Sequence, residues 1–423
     1  MNLDRKFLVF MVLGGSTFIL SKGLLVMFLV PDPPPFGGNP TTRLILTLSY
    51  LGVALILASR IRETLLVLRR NWVLLVLVLM SFASCLWAES PIFVLQRSIA
   101  VFGTTLLGIA FATRLSLEEQ LRLMSWFFRT MAVLSLGCIL FFPSYGISSS
   151  ADSFGNWQGV FGYKNLLGAM MTVSILVERF RPADTPFAKL IKWSSLLLSG
   201  VLLAGSNSIT PMIALGATLL FVEAYRVAKH RLRMPLYAIV VAALVLVAAG
   251  ATAFVVDSNR VTGAVGRSSN LSGRTEIWSM VLSYISERPV LGYGYSGFWY
   301  GSSQESSQVD QALGTPIMYS HNGYLETLLN LGAVGFLLML AFLGTGVTRA
   351  YYCSERDRSL VNLWPLAFLT FFLLYNTAEC TILLQDLQWA LCVSVVASAD
   401  AALRVRDAEP EEEQSLVPVY EAT

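Results

Sequence analysis

Four short stretches of the chain place ionisable side chains beside long apolar runs, where leaving water is costly, and so point to use. Arg97 falls in Val94-Leu95-Gln96-Arg97-Ser98, and Lys164 in Gly159-Val160-Phe161-Gly162-Tyr163-Lys164-Asn165. Arg274 stands in Ser272-Gly273-Arg274-Thr275-Glu276-Ile277-Trp278, and His321 in Tyr319-Ser320-His321-Asn322-Gly323-Tyr324-Leu325-Glu326. Guanidinium and ammonium groups suit an anion such as a phosphate, and an imidazole suits proton transfer near neutral pH. An arginine in a helix's first turn opposes the macrodipole. Beside free backbone N–H groups, however, it makes an anion-binding corner. Each residue has a plainer reading. Arg97 is then an interfacial arginine snorkelling to lipid, Arg274 pairs with Glu276 or another loop acid, and His321 is a structural histidine.

Weaker candidates surround these. Glu379, beside Asn376, either faces the same cavity or caps a helix, and Ser206-Asn207-Ser208-Ile209-Thr210 is either a sugar contact or ordinary turn chemistry. Lys22 and Arg129 lie within apolar runs and receive no role. Two histidines, His230 and His321, cannot build a multi-histidine metal site. The five cysteines lack CxxC spacing and read as small buried hydrophobes. No DxD, HExxH, Walker-type or Rossmann pattern is present, so neither a metal cage nor a nucleotide-sugar site is visible.

The elements that must position these residues are membrane spans. Of 423 residues, 55% are hydrophobic and 13% charged, against roughly 25% charge in soluble domains, and mean hydropathy is +0.63. A water-soluble enzyme is excluded. The formal charge of +3 is too balanced for a nucleic-acid binder. Spanning helices need about 20 apolar residues, and twelve such runs lie near 7–30, 44–59, 72–88, 92–113, 123–142, 160–178, 193–208, 209–225, 235–256, 322–348, 360–378 and 386–403. The expected fold is therefore all-α and polytopic. The first run follows Arg5 and Lys6 without a small-residue cleavage site, which reads as a signal anchor. Sorting Lys and Arg by alternate connections puts 21 on one side and seven on the other, which predicts that both termini are cytoplasmic.

The expected organisation is residues 1–256 as spans one to nine, 257–320 as a long outer loop, 321–403 as spans ten to twelve, and 404–423 as an acidic cytoplasmic tail. Within the loop, Gly273 to Ser286 predicts an amphipathic helix with Ile277, Met280, Val281, Tyr284 and Ile285 on one stripe, ended by Pro289. Glu287-Arg288-Pro289-Val290-Leu291-Gly292-Tyr293-Gly294 then predicts a turn-rich crossing. A shorter outer loop, Pro143 to Gln158, is polar and aromatic. No internal repeat of the transporter kind is evident.

At these residues the chain resembles the O-antigen ligase and exopolysaccharide polymerase superfamily of bacterial inner-membrane proteins. The resemblance rests on Gly159 to Gly168 (GVFGYKNLLG), Gly273 to Trp278, Glu287 to Gly294, and His321 to Glu326 followed by Leu331-Gly332. It extends over roughly Arg97 to Glu379, and is somewhat nearer the polymerase branch than the lipid A ligase branch. It implies a fold like the C-type membrane glycosyltransferases and glycosyl transfer on the periplasmic face, without metal, cofactor or nucleotide sugar. The donor would be an undecaprenyl-diphosphate-linked oligosaccharide, and the acceptor another glycan or the lipid A core. By motif, His321 would orient or deprotonate the acceptor hydroxyl, and Arg274, with Arg97 and Lys164, would hold the departing diphosphate. Their positive charge would favour the neutral imidazole. Tyr163, Asn165, Tyr319, Asn322, Glu326 and Glu379 would contact acceptor or sugar. A secondary transporter or lipid-linked oligosaccharide flippase, and a membrane subunit without chemistry, are the competing classes.

Overall fold

The computed structural model describes residues 3–21, 40–150, 153–229, 274–299, 303–314, 316–356 and 359–414. The ninth apolar run, with His230, Arg260, Arg267 and Lys22, lies outside them. Among the described residues the protein is an all-α bundle with no strand; one isolated bridge joins Ile147 and Trp157. In chain order the α-helices of ten residues or more are α1 (Leu3–Leu20), α2 (Pro40–Ala58), α3 (Ile61–Arg70), α4 (Trp72–Ala83), α5 (Pro91–Arg114), α6 (Leu117–Phe141), α7 (Lys164–Phe180), α8 (Pro186–Ser206) and α9 (Ile209–Val227). They continue with α10 (Arg274–Glu287), α11 (Gln304–Leu313), α12 (Gly323–Glu355), α13 (Leu360–Tyr375) and α14 (Leu387–Gln414). Helix therefore occupies most of ten of the twelve apolar runs and the described part of the first, residues 7–20. Among the described residues six helices are long and apolar enough to cross a membrane, or seven if α3 and the segment after it form one bent span.

Helix ends follow local chemistry. Ser116 starts α6 with a capping box closed by Glu119, and Thr185 caps α8, where Pro186 takes the first-turn position suited to a missing N–H. The last helix sits at the centre. From Leu387 to Asp400 every residue of α14 is buried, which fits a helix mixing small and apolar residues on all sides. Polar side chains join it to its neighbours. The Gln120 amide donates to Ser398 at 2.8 Å and accepts from Ser394 at 2.8 Å, and the Trp389 indole donates to Thr105 at 3.0 Å. Arg129 is paired within the bundle: it makes two bonds, of 2.8 and 2.9 Å, to the fully buried Glu178.

Two features depart from the sequence expectations. Ile61–Arg70 forms a separate helix, bent 88° from the one that follows, where only a basic connection was anticipated. The tenth run is also broken. Gly332 has φ +62° and ψ −165° inside α12, a backbone state reserved almost entirely for glycine. The turn after α10 docks into this break. Tyr293 and Gly294 donate to the carbonyls of Leu329 and Asn330 at 2.9 Å each, and Ala333 donates to the Pro289 carbonyl at 2.8 Å. The groups freed by the break are thus satisfied within protein, as apolar surroundings require. Residues 333–355 still extend roughly 35 Å at 1.5 Å each, enough for a span, while residues 323–331 pack with α10. A Cβ at Gly332 would lie 2.3 Å from the Val290 carbonyl. Gly332→Ala is therefore expected to destabilise the protein by at least about 1–3 kcal/mol, read as a lower unfolding temperature in detergent. An unchanged temperature would contradict this docking.

The amphipathic helix expected at 273–286 is α10. Ile277 and Val281 are buried in a small aromatic cluster with Tyr293, Phe298, Trp299, Val309 and Leu329, and Met280, Tyr284 and Ile285 pack against it. α11, capped by Ser303, was not anticipated.

Candidate active site

The motif residues meet where one end of α7, α8, α9, α12 and α13 converge on the start of α10. Glu379, in the irregular segment between α13 and α14, is the centre. Its backbone is fixed from both sides: its N–H donates to Tyr375 at 3.0 Å, and its carbonyl accepts from Gly323 at 3.0 Å. Gly323 also donates to the Asn376 carbonyl, and a Cβ there would meet Asn376 Oδ1 at 2.5 Å, so the approach requires glycine. Asn376 holds the segment's curve by accepting from the backbone N–H of Thr381 and Ile382.

The Glu379 side chain is 5% exposed and gathers three partners. Arg274 Nη2 donates to Oε1 at 2.7 Å, and Asn165 Nδ2 donates to the same oxygen at 3.1 Å. His321 Nδ1 lies 3.6 Å from Oε2, beyond hydrogen-bond range. Arg274 also reaches Thr210 Oγ1 at 3.4 Å, and Ser208 donates to Asn165 Oδ1 at 3.0 Å. Breaking a buried pair such as Arg274–Glu379 from one side typically costs 3–5 kcal/mol, because a buried charge is left alone.

His321 is held in an uncommon backbone state, with φ +52°, which the surroundings over-determine. Ser320 before it donates its N–H to Glu326 at 2.9 Å and accepts from the Trp278 indole at 2.9 Å. Asn322 after it caps α12, accepting from Tyr324 and Leu325, and donates to the Thr377 carbonyl at 3.1 Å. Tyr319 packs against the imidazole with ring centroids 4.4 Å apart. Burial first, and then the Glu379 charge, hold the Tyr319 phenol above its ordinary range, so it remains a neutral hydroxyl. His321 Nδ1 is buried without a hydrogen-bond partner, whereas Nε2 is engaged by none of the described residues.

The structure thus brings together Arg274, His321, Glu379, Asn165 and Tyr319. Lys164 is the neighbour of Asn165 at the start of α7, and Tyr163 is 73% exposed beside it. Three expectations change. Among the described residues Arg274 pairs with Glu379 rather than with Glu276. The nearest charge to His321 is a carboxylate rather than a cationic cluster. Glu326 supports the site instead of lining it: its buried carboxylate accepts from Trp299 at 3.0 Å, Ser320 at 2.9 Å and Asn330 at 3.0 Å. Asn322 is likewise engaged as a cap. Arg97 is half-buried near Tyr295, with its guanidinium 5.2 Å from the Phe93 ring centroid. It makes no ion pair among the described residues, and its Nε is buried without a partner. No contact joins it to Arg274. The parts underread in sequence are Glu379 as the hub and Ser208 and Thr210 as its supports; the visible signal was an acid at an apolar helix end.

Fold and site together define a class: a polytopic all-α membrane protein with a buried Arg–Glu–His cluster where several helix ends meet the start of α10. Residues 194–340 match the O-antigen ligase family. The match includes Arg274 and His321 and excludes Arg97, Lys164 and Glu379. The exopolysaccharide production protein ExoQ of Rhizobium meliloti (strain 1021) is 26% identical over 131 residues, covering 30% of this chain and 30% of that protein. Both findings support a likeness to the O-antigen ligase and polymerase superfamily that the motifs resemble.

Proposed function

We propose that the protein is a glycosyltransferase of the bacterial inner membrane, with both termini cytoplasmic and its site on the periplasmic face. It takes an undecaprenyl-diphosphate-linked oligosaccharide as donor and joins it to a second glycan, polymerising repeat units; transfer to a lipid A core is the ligase version of the same chemistry. The observation that carries this reading is the Arg274–Glu379–His321 cluster. An acceptor hydroxyl beside His321 Nε2 loses its proton to the imidazole as its oxygen bonds to the donor's anomeric carbon. The bond from that carbon to the diphosphate oxygen breaks, and the lipid diphosphate leaves with the electron pair. Arg274 stabilises the charge that grows on it, as fixed donors aimed at developing charge do.

Glu379 has two roles here. It holds the guanidinium in place before the donor arrives, and its other carboxylate oxygen lies beside Nδ1 of the imidazole, on the side away from the acceptor. Lys164 and the unpaired Arg97 supply further positive charge for the lipid diphosphate as it enters and departs. Asn165, Tyr163 and Tyr319 contact sugar.

The break in α12 is the feature a transporter reading would use, since transporters bind substrate at discontinuous helices. Its backbone groups are already bonded to the 289–294 turn, and Arg274, His321 and Glu379 gather at one end of the bundle, which favours the enzyme. Extraction of lipid-linked glycans from cells lacking the protein tests the reading. Accumulation of single repeat units is expected for a polymerase, and polymer retained on its carrier for a ligase. If neither accumulated, the proposed function would be wrong.

A further inference from the structure

A second recess lies away from the Arg274 cluster. It is a cleft of about 280 Å³ between the turn after α4, the 288–297 crossing and the start of α11. The size is near the lower end of small-ligand pockets, roughly 300–1,000 Å³, and suits a short stretch of glycan better than a lipid tail. Its walls are of two kinds. Trp87 offers aromatic surface above a floor closed by the buried Phe298, and Glu89, Arg288, Gln304 and Glu305 offer planar polar groups.

The aromatic part is rigid. Trp87 is pinned by its indole N–H, which donates to the Leu291 carbonyl at 3.2 Å. Phe298 is buried and packs edge-on against Tyr293 and Trp299, with centroids 5.1 and 4.8 Å away. Arg288 lies over Tyr293 with its guanidinium carbon 4.5 Å from the ring centroid, an arrangement that fixes the plane of its donors. Glu89 and Arg288 are exposed and Glu305 is half-buried, so their polar atoms are available to a ligand.

Two carboxylates face one guanidinium, which leaves the cleft acidic and unfavourable for a phosphate. Carboxylates accept from hydroxyls, guanidinium and amide donate to them, and aromatic faces cover apolar C–H faces. That combination fits a ligand rich in hydroxyls. Arg274 and Arg288 lie at the beginning and just past the end of α10, whose 14 residues extend about 21 Å. The cleft is therefore several sugar residues from the reacting groups.

We propose that this cleft is a distal glycan-binding subsite, which holds a remote part of the acceptor chain while its end reaches His321. The inference rests on the glycosyl-transfer reading for the identity of the ligand. The probe is the oligosaccharide released by mild acid from the lipid-linked precursors of the source cells, added to the full-length protein in nanodiscs and followed by saturation-transfer NMR and titration. Wild type and Arg274→Ala are expected to bind alike, whereas Trp87→Phe, Glu89→Gln and Glu305→Gln bind at least tenfold more weakly. In transfer assays these three variants should raise KM for long acceptors, leave kcat nearly unchanged, and shorten the polymer. Unchanged binding in all three, or no binding by wild type, would overturn the subsite. Binding at the cleft by a wild-type protein that forms no glycosidic bond would instead overturn the catalytic reading and leave the subsite standing.

Discussion

Replacing Arg274 by alanine is expected to lower glycan transfer by about 10²–10³-fold in kcat, the usual range for removing one donor aimed at developing charge. Two effects contribute, and they can be separated. The variant removes the group proposed to neutralise the departing diphosphate, and it strands the buried Glu379 carboxylate that now accepts from Arg274 at 2.7 Å. If pairing were the whole role of Arg274, the variant combining Arg274→Ala with Glu379→Ala would turn over as fast as Glu379→Ala alone. The double variant is expected to regain folding stability but not turnover. Arg274→Lys should retain a minor part of the rate, because an ammonium keeps the charge and loses the fork that holds Glu379 and Thr210 together. Turnover in the double variant as fast as in Glu379→Ala alone would reduce Arg274 to a structural partner.

Replacing His321 by alanine is expected to lower kcat by about 10²–10⁴-fold, the range for losing a positioned general base, with KM for the donor little changed. The separation of kcat from KM matters. In the proposed reading the donor diphosphate is held by Arg274, Lys164 and Arg97, which the variant leaves intact. The backbone at 321 is fixed by Ser320, Asn322 and Glu326 rather than by the imidazole, so the variant should fold. Glutamine at the same position keeps hydrogen bonding but cannot accept a full proton, and it should be as inactive as alanine. Wild-type kcat in either variant would remove His321 from the chemistry.

How far the sequence alone leads depends on the range of the physics involved. Spans, and the amphipathic helix from Arg274, are legible because apolar periodicity is local; Ile277 and Val281 are buried as their spacing predicts. Arg274 and His321 are legible because charge beside an apolar run is unusual. Glu379 is only half-legible. It was visible as an acid at a helix end, but its pairing with Arg274, 105 positions away in the chain, depends on how α13 packs against α12. Glu326 shows the opposite problem. It belongs to the same short motif as His321, yet one helical turn sends its carboxylate inward to Trp299 and Asn330. The break at Gly332 is invisible in hydropathy, since residues on both sides are apolar, and it appears only with the turn that fills it.

The most direct test is reconstitution of the purified full-length protein with a lipid-diphosphate-linked repeat unit and an acceptor glycan, in the presence of excess EDTA. Free lipid diphosphate and new glycosidic bonds are then counted together. The expected result is one lipid diphosphate released for each bond formed, at a rate that EDTA leaves unchanged and that Arg274→Ala and His321→Ala both suppress at least 100-fold. Activity that vanished with EDTA and returned with Mg²⁺ or Mn²⁺, or movement of intact donor across the bilayer without bond formation, would contradict it.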